Sequence, residues 1–243
     1  MKKIGLLGGT SFPSTITYYT RLNQLVNQRL GGHHSCRMIL YSIDYHEIKS
    51  RYSNGWGEIP TLLRKEIEAL LEMKPDCLLI CNNTLHKAFD LIKDEMEINI
   101  PVLHIMELTI QHLRERKLNR VLLLGTRFTM EDTYFTQPLR EAGIEVGVPE
   151  LTDRIRIQEI QSELSKGNSA PEFAAYFQEL VNKSNNYEGV ILGCTELPAV
   201  FCQVSTNMAV IDTIELQCQQ AVEFVLPPQQ KAVTGELKSL KWL

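Results

Sequence analysis

The chain has 243 residues, of which 44% are hydrophobic and 22% charged, and its formal net charge is −4. This length supports one large or two small domains, and the acidic balance argues against nucleic acid as a partner. No membrane partner is expected, because no apolar run approaches the roughly 20 residues of a membrane span. The N-terminus also lacks the zones of a signal peptide.

The predicted elements alternate between strand and helix along the whole chain. Predicted strands cover 3–8, 37–43, 77–81, 101–105, 120–125, 144–148, 189–193 and 209–212. Predicted helices lie near 13–30, 58–73, 85–96, 106–116, 130–142, 155–165, 171–184 and 213–225. This alternation predicts an α/β protein with parallel sheets, and the continuous apolar strands indicate burial on both faces.

The strand–helix pattern runs twice. The segment Ile4–Thr10 resembles Val121–Thr126, and the loop at Asn82 corresponds to the loop at Cys194. A repeat of this length indicates a duplicated domain, although α/β units also resemble one another in general. We predict a first domain over 1–105 plus 213–226, a second over 106–212, and a C-terminal tail over 227–243.

Polar loops follow four of the predicted strands. They contain Thr10 and Ser11, Asn82 to Thr84, Thr126 to Thr129, and Cys194 to Glu196. Ligands of open parallel sheets bind beyond the carboxyl ends of the strands. If the two halves face each other, these loops line one cleft whose hydroxyls, amides and helix N-termini suit a carboxylate. Taken alone, Gly8–Ser11 fits a carboxylate cradle and a tight strand-to-helix turn equally well.

The chain has six cysteines. Their placement in or beside apolar strands is typical of buried free thiols, so we expect a reduced, cytoplasmic protein without a metal site. Cys194 is the candidate catalyst, since a hydroxyl and a carboxylate follow it, and we expect nearby amides and a helix N-terminus to lower its pKa. Strand alternation turns Cys81 away from the side of Asn82, so Cys81 reaches the cleft only if the loop bulges.

The ordered set of motifs resembles the aspartate/glutamate racemase family, whose members invert Cα without a cofactor. The resemblance runs from Ile4 to about Phe224 and rests on Ile4–Ser11, Tyr41–Tyr45, Asn82–Lys87, Pro101–Ile105, Leu124–Glu131 and Gly193–Glu196. It implies two α/β domains related by pseudo-twofold symmetry, a substrate cleft between them, no cofactor and a homodimer.

One catalytic position of that family is changed in this chain. The family's first loop is Cys-Asn-Thr-X-His, and Asn83–His86 matches its last four positions, so Asn82 stands in place of the first catalytic cysteine. The family mechanism uses one thiol on each face of Cα, and Asn cannot act as a base. A subgroup has Thr at this position, so a residue other than Cys is compatible with the family. Tyr52 stands where close relatives have a substrate-facing Gln.

The resemblance implies an isomerase that racemises a small acidic amino acid, aspartate or glutamate, with Cys194 as a catalytic thiol. Asn82 and Cys81 are the candidates for the other face of Cα. The expected substrate-binding residues are Thr10, Ser11, Tyr52, Asn83, Thr84, Thr126, Thr129, Lys166, Thr195 and Glu196. Two alternatives stay open: a single-thiol decarboxylase or isomerase of the same superfamily, and an inactive member that binds amino acids.

Overall fold

Two parallel sheets organise the protein, whose structure is a computed structural model that describes residues 1–227. The strands are β1 (Ile4–Gly8), β2 (Met38–Ser42), β3 (Cys77–Ile80), β4 (Arg120–Leu124), β5 (Glu145–Gly147), β6 (Gly189–Leu192) and β7 (Ala209–Asp212). The first sheet has the order β2–β1–β3, and the second has the order β5–β4–β6–β7. In both sheets the earliest strand lies between the next two, which is consistent with a pseudo-twofold relation between the halves.

Helices connect these strands and confirm the predicted α/β class. They are α1 (Phe12–Leu30), α2 (His46–Lys49), α3 (Ile59–Glu72), α4 (Leu85–Asp90), α5 (Ile105–Glu115), α6 (Arg127–Glu131), α7 (Thr133–Glu141), α8 (Leu151–Ser165), α9 (Pro171–Lys183), α10 (Pro198–Phe201) and α11 (Thr213–Val225). Short 3₁₀ turns lie at Trp56–Glu58 and Lys93–Glu95. The helices α2 and α10 are absent from the predicted elements, because a single helical turn carries too little periodicity to be recognised.

Apolar clusters cover both faces of each sheet. In β1, Ile4 and Leu6 pack into a cluster with α1 and α11, whereas Leu7 packs on the opposite face with side chains of α3. In β4, Leu122 and Leu124 face one cluster and Val121 faces another. Successive strand residues point to opposite faces, so both sets are buried only when helices cover the sheet on both sides.

The segment 101–105 is not a strand, contrary to the sequence prediction. It makes a single parallel bridge, between Val102 and Leu78, and then turns into α5. His104 ends the extended stretch, because its Nδ1 accepts a hydrogen bond from the Met106 amide at 3.3 Å and caps the new helix. The predicted helix 130–142 is likewise divided into α6 and α7 at Asp132, whose side chain accepts from the Tyr134 amide at 2.8 Å.

Helix α11 follows the second sheet along the chain but packs against the first. Its buried residues Ile214, Cys218 and Val222 join the apolar cluster of β1 and α1. We therefore propose the domain division that the sequence predicts, with 213–226 added to the first domain. Of the predicted tail over 227–243, residues 228–243 lie outside the described residues.

The turn after β1 requires glycine. Gly9 has a φ of +84°, a region that favours glycine, and a Cβ at this position would lie 2.2 Å from the carbonyl oxygen of Ile43. This tight turn leads the chain from β1 into α1 and leaves Thr10 and Ser11 at the carboxyl end of the sheet. The loops after β3, β4 and β6 emerge at the carboxyl ends of their own strands, where ligands of parallel sheets bind.

Candidate active site

A cavity of about 400 Å³ lies where the loops after β1, β3, β4 and β6 meet. This volume is in the range of small-molecule sites. The predicted site residues that line it are Thr10, Ser11, Tyr52, Asn82, Asn83, Thr84, Thr126, Thr129, Cys194, Thr195 and Glu196. The structure thus brings residues from both sheets around one cavity, with the Asn82 loop supplied by the first sheet and the Cys194 loop by the second.

Two predicted site residues lie elsewhere. Cys81 is only 1% exposed and packs in the apolar cluster with Ile4, Leu6 and Tyr18. The loop does not bulge, because the Cys81 amide continues the ladder to the Leu7 carbonyl oxygen at 3.0 Å. Burial raises the pKa of this thiol.

Lys166 is the other predicted residue outside the cavity lining. It follows α8 at the surface, where its ammonium lies 2.6 Å from a carboxylate oxygen of Glu163. The two side chains are three residues apart and both largely solvated, so this is an ordinary surface ion pair. Lys166 is therefore not a counter-charge within the cavity.

Cys194 and Glu196 form a hydrogen-bonded pair in the cavity wall. The Cys194 Sγ donates to Glu196 Oε2 at 2.9 Å, and the Thr195 hydroxyl donates to the same oxygen at 3.0 Å. Cys194 is 6% exposed and Glu196 8%, so the pair is largely shielded from solvent. The three residues are consecutive in the sequence, and the turn after β6 brings the Cys194 thiol and the Thr195 hydroxyl onto the Glu196 carboxylate.

The pKa of Cys194 is raised, contrary to the expectation of a lowered value. Burial is the largest cause, and the negative charge of Glu196 and its hydrogen bond to the thiol add to it. The four-residue helix α10 that follows is too short for a strong N-terminal dipole to offset these effects. Cys194 is therefore a protonated thiol held against a carboxylate, and it becomes a thiolate only when its proton passes to a neighbouring acceptor.

Replacing Glu196 by Gln is expected to lower the pKa of Cys194, since it removes the adjacent negative charge with little change in shape. The thiolate fraction at neutral pH should rise, so iodoacetamide should alkylate Cys194 faster in this variant. The pH profile of alkylation should shift down towards the ordinary thiol range near about 8.5. Peptide mass spectrometry in a Cys202→Ala background measures this without the exposed Cys202 thiol. Identical pH profiles would show that Glu196 does not control the thiol.

Asn82 uses both ends of its side-chain amide within the protein. Its Oδ1 accepts from the Leu85 amide at 3.0 Å, and its Nδ2 donates to the Tyr45 hydroxyl at 3.3 Å. The Tyr45 hydroxyl is also hydrogen-bonded to the hydroxyl of Tyr52. Asn82, which the sequence predicts to stand at the place of the family's first thiol, is thus the first member of a short hydrogen-bonded chain that continues through Tyr45 to Tyr52.

Two buried polar atoms among the residues that line the cavity have no hydrogen-bond partner within residues 1–227. They are the Ser11 hydroxyl oxygen and the Asn83 Oδ1. The Asn83 Nδ2 donates to the Thr213 hydroxyl at 3.0 Å, which fixes the amide and leaves its oxygen unpaired. Buried polar groups are rarely left unsatisfied, so both atoms indicate places where a polar ligand binds.

Lys49 and Tyr45 line the cavity but are absent from the predicted site residues. Lys49 is the sole Lys or Arg among the described residues that line it, and its Nζ lies 4.4 Å from the centre of the Tyr52 ring. Tyr45, Lys49 and Tyr52 are spaced by four and three residues, and helical backbone hydrogen bonds link them, from the Lys49 amide to the Tyr45 carbonyl and from the Tyr52 amide to the Lys49 carbonyl. This spacing turns the three side chains the same way. That spacing directly after β2 is a weak sequence signal, because a single helical turn carries too little periodicity to be recognised.

An aromatic bridge, made of Tyr52, Trp56 and Phe128, joins the two halves beside the cavity. Trp56 stacks on Phe128 with ring centres 5.0 Å apart, and the Tyr52 ring centre lies 5.8 Å from that of Phe128. Lys87 lies over the Trp56 ring at 4.9 Å and forms an ion pair with Asp132 at 2.5 Å. The first half supplies Tyr52, Trp56 and Lys87, so these contacts hold the walls of the cavity together.

A second cavity of about 440 Å³ lies among α1, α5 and α11. Its charged side chains include Arg29 and Glu223, which pair with each other at 2.5 Å. Its lining contains no cysteine and none of the unpartnered buried polar atoms of residues 1–227. The cavity between the strand ends therefore carries the chemistry.

The fold and the cavity define an α/β protein with two parallel sheets and a thiol-bearing cleft. The sequence model of the Asp/Glu/hydantoin racemase family matches residues 7–221. The chain therefore belongs to this family, and the resemblance seen in its motifs is confirmed.

Three individual racemases or candidate racemases are similar to this chain. A solved structure of a candidate Asp/Glu racemase from Yersinia pestis is 34% identical, with a TM-score of 0.82, and the match covers 93% of this chain and all of that one. The broad-specificity amino-acid racemase RacX of Bacillus subtilis is 21% identical over 93% of this chain and 99% of its own length. The glutamate racemase of Clostridium botulinum is 23% identical, and that alignment spans 59% of this chain and 55% of the racemase.

The described residues contain no helix that is both long enough and apolar enough to cross a membrane. Across residues 1–227, no group of three or more His, Cys, Asp or Glu side chains is arranged to hold a metal ion.

Proposed function

We propose that the protein is a cofactor-independent racemase of small acidic amino acids, aspartate or glutamate, with Cys194 as a catalytic thiol. The observation that carries this proposal is the Cys194–Glu196 hydrogen bond of 2.9 Å, which lies in the wall of a polar cavity between the two sheets. A thiol next to a carboxylate has a partner to which it can give its proton and from which it can take it back. Removal of the Cα proton requires a positioned group of this kind.

Glu196 takes the thiol proton in the first step of the proposed mechanism. The Cys194 thiolate then removes the Cα proton from the face of the substrate that it contacts. Negative charge builds up on Cα and on the substrate α-carboxylate as the C–H bond breaks. Donors aimed at that carboxylate stabilise this charge, and the hydroxyls of Ser11 and Thr84 line the cavity where such donors are needed.

The charges in the cavity favour an acidic substrate. Lys49 is the single cationic side chain among the described lining residues, and it supplies a partner for the side-chain carboxylate of aspartate or glutamate. The unpaired Asn83 Oδ1 is an acceptor suited to the α-ammonium group. Together these groups match the two carboxylates and one ammonium of an acidic amino acid.

A second candidate function is that of a single-thiol enzyme, such as a decarboxylase or isomerase of the same superfamily. The observation in its favour is that Cys194 is a protonated thiol and that Asn82 offers no base. Such an enzyme uses Cys194 only to deliver a proton to an enolate. A third candidate, an inactive member that binds amino acids, uses the same polar cavity without proton transfer.

Exchange at Cα in heavy water tests the racemase function against its alternatives. Separate incubations with L- and D-aspartate and L- and D-glutamate are followed by NMR for deuterium and by chiral chromatography for configuration. A racemase introduces deuterium with inversion, whereas a one-base enzyme introduces it with retention and a binding protein does neither. We expect inversion with deuterium for at least one acidic amino acid, and its absence for all four would refute the proposal.

The homodimer and the cytoplasmic location stay predictions, since neither is tested by the structure of one chain. The same holds for the specific choice between aspartate and glutamate. The cavity chemistry supports the class of acidic amino acids, because the two differ by one methylene group and present the same charged groups.

A further inference from the structure

Inversion at Cα needs a proton-transfer group on each face, because a single base returns the proton to the side from which it came. Cys194 serves the face that meets the second sheet. On the first sheet, the Asn82 side chain stands in place of a thiol, and a neutral amide is neither an acid nor a base that can transfer a proton to or from Cα. The group that serves this other face must therefore be a neighbour of Asn82.

The Tyr45 hydroxyl is that neighbour. It lies 3.3 Å from the Asn82 Nδ2, which donates to it, and it is hydrogen-bonded to the Tyr52 hydroxyl. Tyr45 lines the same cavity as Cys194 but follows β2, whereas Cys194 follows β6 of the other sheet. Asn82 is fixed in this orientation, since its Oδ1 accepts from the Leu85 amide at 3.0 Å.

We propose that Tyr45 is the general acid on the face of Cα opposite Cys194, in place of the absent second thiol. This inference rests on the proposed racemase function and assigns the residue that completes it. Asn82 is a positioning residue in this scheme, because it acts through Tyr45 and not on the substrate. The Tyr52 ring is packed in the aromatic bridge with Trp56 and Phe128. Tyr45 is the tyrosine whose hydroxyl is hydrogen-bonded directly to Asn82, the residue that stands in place of the thiol.

The proton balance is complete with groups of this chain. The Cys194 S–H bond breaks and its proton goes to Glu196, and the thiolate then takes the proton from Cα. The Tyr45 O–H bond breaks, and its proton forms the new C–H bond on the opposite face. Tyr45 is left as a phenolate that accepts from the Asn82 amide and the Tyr52 hydroxyl, and the extra proton on Glu196 returns to it through solvent.

The raised pKa of Tyr45 suits its hydroxyl to donating a proton rather than removing one. Burial is the main cause that raises its pKa, with the neighbouring Tyr52 and Glu196 adding to it, while the Asn82 hydrogen bond lowers it. A hydroxyl with so high a pKa donates a proton to a carbanion but rarely takes one from a C–H bond. We therefore assign to Tyr45 the return of the proton that Cys194 removes. The two enantiomers are equal in free energy, so kcat/KM must be the same in both directions, and any difference between them appears in kcat and KM together.

Tyr45→Phe tests this assignment, since it removes one oxygen and keeps the ring. Wild type and variant are incubated in heavy water with each enantiomer of aspartate and glutamate. Inversion should fall by at least about 100-fold in the variant, the lower limit for a general acid. Exchange with retention should persist for the enantiomer whose Cα–H faces Cys194, because that half of the machinery is intact. Tyr41→Phe is the matched control, because Tyr41 lies on β2 outside the cavity lining.

A double variant, Tyr45→Phe with Asn82→Cys, keeps the test independent of folding defects, because a thiol at position 82 should restore inversion. Inversion at the wild-type rate in Tyr45→Phe would overturn the assignment, and so would a larger loss of inversion in Tyr52→Phe than in Tyr45→Phe. Loss of both exchange and inversion that Asn82→Cys does not restore would overturn it as well. A wild-type protein that neither exchanges nor inverts any of the four substrates would refute the racemase function itself, and this inference with it.

Discussion

Replacing Cys194 by Ala should lower the rate of Cα inversion by about 10²–10⁴-fold, the contribution of a well-placed proton-transfer group. Cys194 is the thiol that lines the cavity, and its Sγ is hydrogen-bonded to Glu196 at 2.9 Å. The variant loses the group that removes the Cα proton, so exchange in heavy water should fall together with inversion. Chiral chromatography and NMR of the same reaction measure both losses.

The fold should survive this change, because Ala fits where Cys is buried and no disulfide is lost. Thermal unfolding followed by circular dichroism checks this point. Cys202→Ala is the matched control, since Cys202 is an exposed free thiol outside the cavity lining. Turnover close to that of the wild type in a folded Cys194→Ala protein would remove Cys194 from the mechanism.

Replacing Asn82 by Cys should speed up racemisation of aspartate or glutamate in both directions. A thiol has a pKa much closer to neutral than the raised pKa of Tyr45, and proton-transfer groups work best near the operating pH. A thiol that serves this face fully is worth up to about 10²–10⁴-fold. Initial rates from each enantiomer, measured by chiral chromatography, give the gain, and kcat/KM should rise by the same factor from both enantiomers.

Asn82→Ser is the control for this gain, because it has the size of Cys and removes the same amide but adds no thiol. The Cys variant loses the hydrogen bond from the Leu85 amide to Asn82 and should be less stable by about 1 kcal/mol, whereas a Ser hydroxyl at this position can still accept it. The Cys81→Ala variant tests whether Cys81, and not position 82, supplies the second proton-transfer group. Loss of racemisation in Cys81→Ala, with no effect of Asn82→Cys, would show that Cys81 is the second base despite its place in the core.

Local patterns in the sequence were sufficient for most of the fold. The run Ile4–Gly8 is apolar throughout and ends in a Gly-Gly turn, and it is a strand buried on both faces that leads directly into α1. The segment 101–105 shows the limit of such patterns. It is apolar and extended, but whether it becomes a strand depends on a partner along its length, and only Val102 has one.

Cys194 and Glu196 could both be assigned to the site because they are two residues apart and follow a recognisable strand, but their hydrogen bond to each other was not predicted. The contact between Tyr45 and Asn82 could not be predicted, because 37 residues separate them and the geometry of the β2–α2 turn decides where Tyr45 points. Lys49 was missed because α2 is a single helical turn, which carries too little periodicity to be recognised.

The sequence by itself determined the alternation of strands and helices, the polar loops at the strand ends and the family, and it predicts that Asn82 stands in place of a catalytic cysteine. These are properties of residue types and their order along the chain. The tertiary structure decided that Cys81 is buried in the core, that Lys166 lies outside the cavity, and that the pKa of Cys194 is raised. Each of these depends on which groups surround a side chain in space, and burial and neighbouring charges arise only when distant segments pack together.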